Sequence, residues 1–330
     1  MSQSVPRPES PASPSTALLP APLPPPRLLQ VLGQRPGKLV GWLANKVMDG
    51  VCALSPQRKD ALARFVGWLA FTLGIRRRVA LENLTHAYPD MSEAERRRIA
   101  LGAYRTMSRV VLESIDEKDH LDMSWADLEV RGEGWEALKA SIARGEGALV
   151  VTAHFGNWER AGKLLRRLGV PLNALVRPLK GALNMRIVDN RLHGGVGLIY
   201  PKGAIAEAHE AVKRGESVLM LLDQALPAKA AVFVPFFGRP ASTTPALAVV
   251  AQRTGAPVFV MMGVRDESGL RLHLEVEGPI PVPQGVGEQD AITAHTGAVT
   301  AVLEKYIRRY PDQWLWLHRR WKVQPPPPGT

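Results

Sequence analysis

The sequence predicts an α/β fold in which a central, mostly parallel sheet is flanked by helices and preceded by an N-terminal helical segment. From about residue 128 to residue 309, short apolar runs alternate with longer segments of helical periodicity. Such alternation is typical of parallel sheets covered by helices. Between residues 37 and 125 only helical periodicity is evident. The 330 residues, 45% of them hydrophobic, suffice for one large domain or two modest ones.

The two ends of the chain differ in composition from its middle. The first part is rich in Pro and Ser, and the last residues are a proline run, so neither can form a packed core. No apolar segment of a secretory signal peptide is present. We expect a disordered tail over 1–36, a helical, membrane-proximal segment over 37–125, an α/β domain over 126–322 and a disordered tail over 323–330.

The N-terminal segment contains one clearly amphipathic helix. Its apolar residues recur at helical spacing and are followed by a basic cluster, Arg76–Arg78; they are Leu62, Phe65, Val66, Leu69 and Leu73. This pattern suits a helix lying on an anionic bilayer. It suits equally well a core helix whose last turn is basic. The apolar stretch, Ala61–Ile75, is too short to cross a bilayer. A second helix is expected to begin with Met91–Glu95 and to continue to about Leu112.

The α/β domain is predicted element by element from the alternating pattern. Helices are expected over 133–144, 158–168, 182–193, 203–214, 244–254 and 290–309, and strands over 148–153, 172–177, 197–200, 217–222, 257–264 and 271–276. In open α/β sheets, ligands collect at the loops that follow the carboxyl ends of strands. Because His154, Arg177 and Asp223 all follow predicted strands, we expect them to share one site.

Charge and cysteine content restrict the environment and the partners. The chain has 42 Lys and Arg against 31 Asp and Glu, a net charge of +11. A basic surface favours an acidic partner, such as nucleic acid, an anionic membrane or an acidic carrier protein, although charge can also serve solubility alone. A single cysteine, Cys52, excludes a disulfide within the chain and fits a reducing compartment.

The segment Thr152–Arg160 is the strongest candidate for chemistry. His154 and Glu159 lie at a strand-to-helix corner, where Gly156 permits a turn that is not helical. Glu159, in the first helical turn, is positioned to accept an N–H from the imidazole, which would leave the other ring nitrogen as a general base. The alternative is a histidine that caps the helix and a solvated glutamate, and for the pair alone this alternative is favoured.

Five further residues are candidate substrate-binding residues. Arg177 could clamp a phosphate or assist an oxyanion, and Arg191 could join it. Asp223 and Gln224 end a buried strand, where Asp223 could bind sugar hydroxyls or position Arg177. Backbone N–H groups at Gly156 and Asn157 are candidate oxyanion donors. The structural alternatives are a surface salt bridge for Arg177 and a turn position for Asp223.

The C-terminal cluster of aromatic and basic residues suits either a membrane interface or single-stranded nucleic acid. It comprises Trp314, Trp316, Arg319, Arg320, Trp321 and Lys322. The sequence has no Walker A motif, no GxGxxG after a strand, no GxSxG elbow and no clustered metal ligands. We therefore expect neither a cofactor nor a metal.

The block His154–Glu159 resembles the HxxxxD/E motif of the lysophospholipid acyltransferase superfamily. The form with Glu resembles the bacterial late acyltransferases of lipid A biosynthesis, which transfer lauroyl and myristoyl groups. Further blocks follow in the same order as in that family: Asn83-Leu84, Ala87-Tyr88-Pro89 with Arg96-Arg97, Val176-Arg177-Pro178, Leu222-Asp223-Gln224, Val234–Gly238 and Pro311–Lys322. The resemblance covers residues 37 to 322, and the ordered set is far more specific than any block after the first.

The resemblance implies a glycerol-phosphate-acyltransferase-like fold and a membrane-associated acyltransferase. It implies transfer of an acyl chain from acyl carrier protein to a hydroxyl of a lipid A precursor, without an acyl-enzyme. In these terms His154 would be the general base and Glu159 its support, while Arg177, Asp223, Gln224, Arg191 and Asn157 would bind the glycolipid acceptor. A lysophospholipid or ornithine lipid is the alternative acceptor. The resemblance argues against nucleic acid as a partner.

The resemblance also places the protein at the cytoplasmic face of the bacterial inner membrane. Family members commonly carry an N-terminal hydrophobic anchor, but here Gly37–Leu54 is interrupted by Lys38, Lys46 and Asp49. We therefore expect peripheral or weakly anchored binding to an anionic membrane surface, through Ala61–Ile75, the arginine clusters and the C-terminal Trp and Arg residues.

Overall fold

A seven-stranded, mostly parallel sheet forms the centre of the molecule. The computed structural model describes residues 38–116, 128–178 and 181–326. The strands of the sheet are β1 Val130–Arg131, β2 Ala148–Thr152, β3 Leu172–Leu175, β4 Gly197–Ile199, β5 Ser217–Leu221, β8 Val258–Arg265 and β9 Leu272–Glu277, while β6 Val232–Phe236 and β7 Arg239–Thr243 form a separate two-stranded sheet. The strand order is β1-β9-β8-β2-β5-β3-β4, and neighbouring strands are parallel except that β9 runs antiparallel to β8. The predicted fold class is confirmed.

The helices cover both faces of this sheet, and the first four of them precede its first strand in the chain. They are α1 Lys38–Cys52, α2 Pro56–Thr72, α3 Arg77–Ala87, α4 Glu93–Ser114, α5 Gly134–Ala143, α6 Trp158–Arg167, α7 Ala182–His193, α8 Ala204–Lys213, α9 Ala246–Thr254 and α10 Glu288–Arg309. Short 3₁₀ turns lie at Ala228–Ala230 and Pro311–Gln313.

Strand β2 shows how the sheet separates two hydrophobic cores. Leu149 and Val151 pack on one face with α3, α4, α8, α9 and α10, whereas Val150 packs on the other face with α5, α6 and α7. All five residues of the strand are buried, as expected for a strand covered on both faces. The sequence of the strand is accordingly apolar from Ala148 to Val151, and the loop that carries His154 follows its last residue, Thr152.

Every helix and strand predicted for the α/β domain is present in the structure, with bounds that agree to within a few residues. The sequence analysis missed two features, the two-residue strand β1 and the antiparallel hairpin of β6 and β7. In the hairpin, Phe236 ends β6 and Phe237 lies in the turn, and both are buried. The predicted tail over 1–36 lies outside the described residues, as do residues 327–330 of the C-terminal tail.

The N-terminal segment is helical as predicted. Helix α4 begins with a capping box, in which the side chain of Ser92 accepts from the backbone N–H of Glu95 and the side chain of Glu95 accepts from Ser92. Helix α2 crosses α4 closely, since a Cβ added at Gly67 would come within 2.7 Å of the backbone of Arg105. In the described part of the chain, no helix combines the length and the apolar character that a membrane span requires.

Candidate active site

The loop after β2 has the sharp, non-helical turn that the sequence predicted. Gly156 has a φ of +52°, and a Cβ there would lie 1.7 Å from the carbonyl oxygen of Gly263, so only glycine fits. The backbone N–H of Gly156 donates to the carbonyl of Gln313 at 2.8 Å, and the N–H of Leu315 donates to the carbonyl of His154 at 3.0 Å. The turn projects the His154 side chain past the end of the sheet.

Asp223 is the carboxylate that holds the imidazole of His154. Strands β2 and β5 are adjacent and parallel, and Thr152 is paired with Leu221, so the residues that follow them meet. Oδ1 of Asp223 lies 2.9 Å from Nδ1 of His154, and Oδ2 accepts from the backbone N–H of His154, also at 2.9 Å. Because an ionised carboxylate only accepts hydrogen bonds, Nδ1 carries the proton and Nε2 keeps its lone pair.

Asp223 is buried, and its surroundings keep it ionised. It is 3% exposed, and burial alone would raise its pKa. Electrostatic attraction to the Nδ1–H side of the His154 imidazole, together with hydrogen bonds from His154 and from the indole N–H of Trp314, outweighs burial and lowers the pKa of Asp223 to about 2. The carboxylate is therefore negatively charged at any physiological pH.

Glu159 has a different partner from the one predicted. The sequence analysis expected it to accept from His154, but it forms a bidentate ion pair with Arg191, from Nε to Oε2 at 2.8 Å and from Nη2 to Oε1 at 2.5 Å. The indole of Trp158 also donates to it at 3.0 Å. Burial raises the pKa of Glu159, but the charge and hydrogen bonds of Arg191, the charge of Lys163 and the hydrogen bond from Trp158 together outweigh burial and lower the pKa. Glu159 extends from the first turn of α6 towards α7, while His154 turns towards β5.

His154 and Glu159 open onto one cavity of about 760 Å³ together with three of the candidate binding residues, Arg177, Arg191 and Gln224. Its polar lining is Ser114, His154, Trp158, Glu159, Arg177, Arg191, Gln224 and Thr244, and its apolar lining includes Val110, Val111, Ala174, Val176, Ile187, Val196, Leu219 and Leu221. The volume and the mostly apolar wall with a few polar groups are typical of small-molecule and lipid sites. The structure thus brings together His154, Glu159, Arg177, Arg191 and Gln224.

Two expectations about the loop backbone and Asn157 differ from the structure. The backbone N–H groups of Gly156 and Asn157, predicted as oxyanion donors, donate instead to Gln313 and Gly263. Asn157 is 1% exposed and caps α6, since its Oδ1 accepts from the backbone N–H of Arg160 at 2.9 Å. Its amide nitrogen donates to Glu113 at 2.5 Å. These hydrogen bonds fix the loop.

Two guanidinium groups line the cavity. Arg177 is exposed and lines the cavity, while Arg191 has only 17% of its side chain exposed. Gln224 places its Nε2 3.3 Å from Nε2 of His154. Within residues 38–116, 128–178 and 181–326, no cluster of three or more His, Cys, Asp or Glu side chains is arranged to hold a metal ion.

The C-terminal tryptophans lie in the core rather than at the surface. Trp314 and Trp316 are 0% exposed and Trp321 is 7% exposed, so the prediction that they form a membrane interface is wrong. Arg320 is also 0% exposed. Its guanidinium donates to the carbonyl of Ser242 and to the hydroxyl of Thr243, and it lies 5.1 Å from the ring of Phe236. Alternating aromatic and basic residues indicated a surface, but indole and guanidinium groups can also be buried where hydrogen-bond partners are available.

Comparison with known proteins gives a consistent result across most of the chain. A family model described as bacterial lipid A biosynthesis acyltransferase matches residues 33–323. The chain is 29% identical over 270 residues to the lipid A biosynthesis palmitoleoyltransferase of Escherichia coli K12, covering 76% of this chain and 80% of the relative. It is 27% identical over 295 residues to the lipid A biosynthesis lauroyltransferase of the same strain, covering 86% and 92%.

A relative named for a different acceptor is also similar to this chain. The phosphatidylinositol mannoside acyltransferase of Mycobacterium tuberculosis H37Rv is 27% identical over 201 residues, which is 57% of this chain and 58% of that protein. The similarity therefore extends to proteins named for acyl transfer to more than one kind of glycolipid.

Proposed function

Because this chain belongs to the bacterial lipid A biosynthesis acyltransferase family, we propose that it transfers an acyl chain from acyl carrier protein to a hydroxyl of a lipid A precursor, forming an acyloxyacyl group. One observation carries the proposal: the imidazole of His154, held by the buried carboxylate of Asp223, lines a mostly apolar cavity. A base at the wall of such a cavity suits a reaction between two lipid-linked substrates.

The proposed reaction is a direct transfer with no acyl-enzyme. Nε2 of His154 takes the proton of the acceptor hydroxyl while the hydroxyl oxygen attacks the thioester carbonyl. The tetrahedral intermediate then collapses, the carbon–sulfur bond breaks, and the imidazolium returns the proton to the leaving thiolate. General-base assistance of this kind contributes roughly 10²–10⁴ in rate.

The carboxylate of Asp223 supports this cycle because it stabilises the imidazolium and fixes the tautomer of the resting ring. The side-chain amide of Gln224 lies within hydrogen-bond distance of Nε2 of His154. The acceptor hydroxyl would take the place of this amide. Asp223 and Gln224 therefore act on the base rather than on sugar hydroxyls.

We assign Glu159 to the anion site. Its bidentate bond keeps the guanidinium of Arg191 at the cavity wall, within the same cavity as the base. A buried guanidinium there can stabilise the oxyanion of the tetrahedral intermediate. The exposed Arg177 suits a phosphate of the acceptor, since guanidinium groups bind phosphate bidentately.

The proposed location is the cytoplasmic face of the inner membrane, with peripheral attachment to an anionic surface. Helices α1 and α2 expose many large apolar side chains: Leu39, Val40, Trp42, Leu43, Val47, Phe65, Val66, Trp68 and Leu69. Helix α1 packs against α4 and α7, two helices that line the cavity. A bilayer touching these helices would lie beside the cavity, and the exposed Lys46, Arg58 and Arg64 would meet anionic headgroups.

The acceptor is tested by mass spectrometry of lipids from a strain that lacks this protein. The proposal predicts lipid A that has lost one acyl chain, and restoration by the wild-type gene but not by one encoding His154→Ala. Intact lipid A with a changed phospholipid, ornithine lipid or other glycolipid would favour the alternative acceptors. The relative named for phosphatidylinositol mannoside acylation is the observation that keeps this alternative open.

A further inference from the structure

The segment that follows α10 braces the active-site loop. Trp314 pairs with Phe155 as an isolated antiparallel bridge. On either side of this bridge, the carbonyl of Gln313 accepts from Gly156 and the N–H of Leu315 donates to His154. The backbone of Trp314 is thus fixed relative to the backbone that carries the imidazole.

The side chain of Trp314 extends this brace to the carboxylate. The indole is fully buried, and its Nε1–H donates to Oδ2 of Asp223 at 2.8 Å. The same oxygen accepts from the backbone N–H of His154. With two donors on Oδ2, the carboxylate cannot rotate without losing both bonds, and Oδ1 stays directed at Nδ1 of His154.

We propose that Trp314 is a positioning residue for acyl transfer, because its indole N–H fixes the Asp223 carboxylate that orients the His154 base. This inference rests on the proposed function and adds to it a group that does not touch either substrate. A hydrogen bond to a charged group is among the stronger ones in proteins, and here donor and acceptor are both excluded from water.

Among the residues that the structure describes, no charged or titratable neighbour of Asp223 takes the place of the indole. Arg320 acts on the carboxylate at longer range, but its own hydrogen bonds go to Ser242 and Thr243. His318 accepts at Nε2 from the backbone N–H of Ala225, and burial lowers the pKa of His318 to about 4, so it is neutral. The carboxylate of Asp223 also accepts two hydrogen bonds from His154 itself.

The test compares Trp314→Phe with Trp316→Phe. Both indoles are fully buried, and their rings lie 4.6 Å apart in one aromatic cluster, so the two changes disturb packing similarly. Trp316 donates instead to the carbonyl of Pro311. The proposal predicts that Trp314→Phe lowers kcat by about 10-fold or more and that Trp316→Phe lowers it much less.

The pH profile separates positioning from packing. The hydrogen bond from the Trp314 indole is one of the causes that lower the pKa of Asp223. Without that donor, more of the negative charge of the carboxylate acts on the imidazole and favours its protonated form. The acid limb of kcat/KM should therefore move to higher pH in Trp314→Phe and stay in place in Trp316→Phe. Superimposable profiles for the two variants would overturn the proposal.

A second measurement keeps the inference testable if Trp314→Phe does not fold. In NMR spectra of the wild-type protein, one of the indole N–H signals of the eight tryptophans should lie downfield because it is bonded to a carboxylate. Asp223→Asn should move that signal upfield while the Trp316 signal, identified with Trp316→Phe, stays in place. No moved indole signal would refute the inference, whereas undiminished activity of His154→Ala would refute the underlying function.

Discussion

Two carboxylates flank the active-site loop, and each binds a different basic side chain. Asp223 bonds to the imidazole of His154, and Glu159 bonds to the guanidinium of Arg191. In the proposed function the two pairs have different roles, because Asp223 would orient the base and Glu159 would hold a cation at the cavity wall.

The first residue-scale prediction concerns Asp223→Asn. The change keeps the shape of the side chain but removes the charge and the reliable acceptor for Nδ1–H, so the imidazole no longer has one fixed tautomer. We expect kcat for acyl transfer to fall at least about 100-fold. The measurement is the rate of lipid acylation by the purified variant, with circular dichroism as the control for folding. Near wild-type turnover would show that Asp223 does not support the base.

The second residue-scale prediction concerns the Glu159–Arg191 pair. We expect Glu159→Gln and Arg191→Lys each to lower kcat/KM, since both break the bidentate bond. The double variant should be little worse than either single variant, because contacting residues that act as one unit are not additive. A double-mutant cycle measures this coupling. Fully additive losses would mean that the two residues act independently.

The sequence identified both carboxylates but assigned the imidazole to Glu159 instead of Asp223. Glu159 is near His154 along the chain, which favoured a local hydrogen bond. Asp223 is distant along the chain, and only the parallel pairing of β2 with β5 brings it to His154. Adjacency of those two strands depends on the strand order of the sheet, and the alternating pattern does not specify that order.

At the scale of elements, the cavity is bounded by α6 and the ends of β3 and β5. Gly162 of α6 lines it four residues after Trp158. A Cβ at this glycine would lie 3.4 Å from a methyl of Leu219 and 3.8 Å from one of Leu172. These are ordinary contact distances, so alanine fits without moving the helix, and its methyl group takes space from the cavity.

We therefore predict that Gly162→Ala shifts the preferred acyl chain to a shorter one. Each methylene that loses its buried site costs about 0.8 kcal/mol, or about fourfold in preference. Competition between acyl carrier protein thioesters of different length, read out by mass spectrometry, measures the shift. Gly50→Ala in α1, where no atom lies within 4 Å of the added Cβ, is the matched control. An unchanged chain-length preference would place the acyl chain elsewhere.

The elements themselves were largely predictable because helix and strand periodicities are local. The hairpin of β6 and β7 was missed since its residues, including Pro235 and Pro240, lack a clear alternation and contain prolines, which disfavour strands. The C-terminal segment was misassigned for another reason. A tryptophan can be buried where its indole N–H has a hydrogen-bond acceptor. The sequence does not show that Asp223 and the carbonyl of Pro311 accept these hydrogen bonds, whereas the fold does.

At the scale of the whole molecule, α1 and α2 present a large apolar surface that folding leaves exposed. Leu39 is 68% exposed and Leu43 is 50% exposed, on the same face of α1. Large exposed apolar surfaces on a soluble fold mark sites of interaction. In this protein the surface includes basic residues and adjoins helices that line the cavity, which fits a bilayer that supplies the lipid acceptor.

We predict that the wild-type protein cosediments with vesicles containing phosphatidylglycerol and that Leu39→Ser combined with Leu43→Ser weakens this binding at least about 10-fold. Leu270→Ser is the matched control, because Leu270 is 42% exposed in the turn between β8 and β9. Added salt should reduce binding in part. Equal retention of all variants would refute the assignment of this surface, and retention insensitive to salt would indicate insertion rather than surface attachment.

The account as a whole depends on His154 acting as the base in acyl transfer. The most direct measurement is the steady-state rate at which purified His154→Ala acylates a lipid A precursor from acyl carrier protein thioester, with thermal unfolding as the control for structure. We expect a folded variant whose kcat is at least about 100-fold below that of the wild type. A folded variant that stays within about threefold of wild-type turnover would contradict the account.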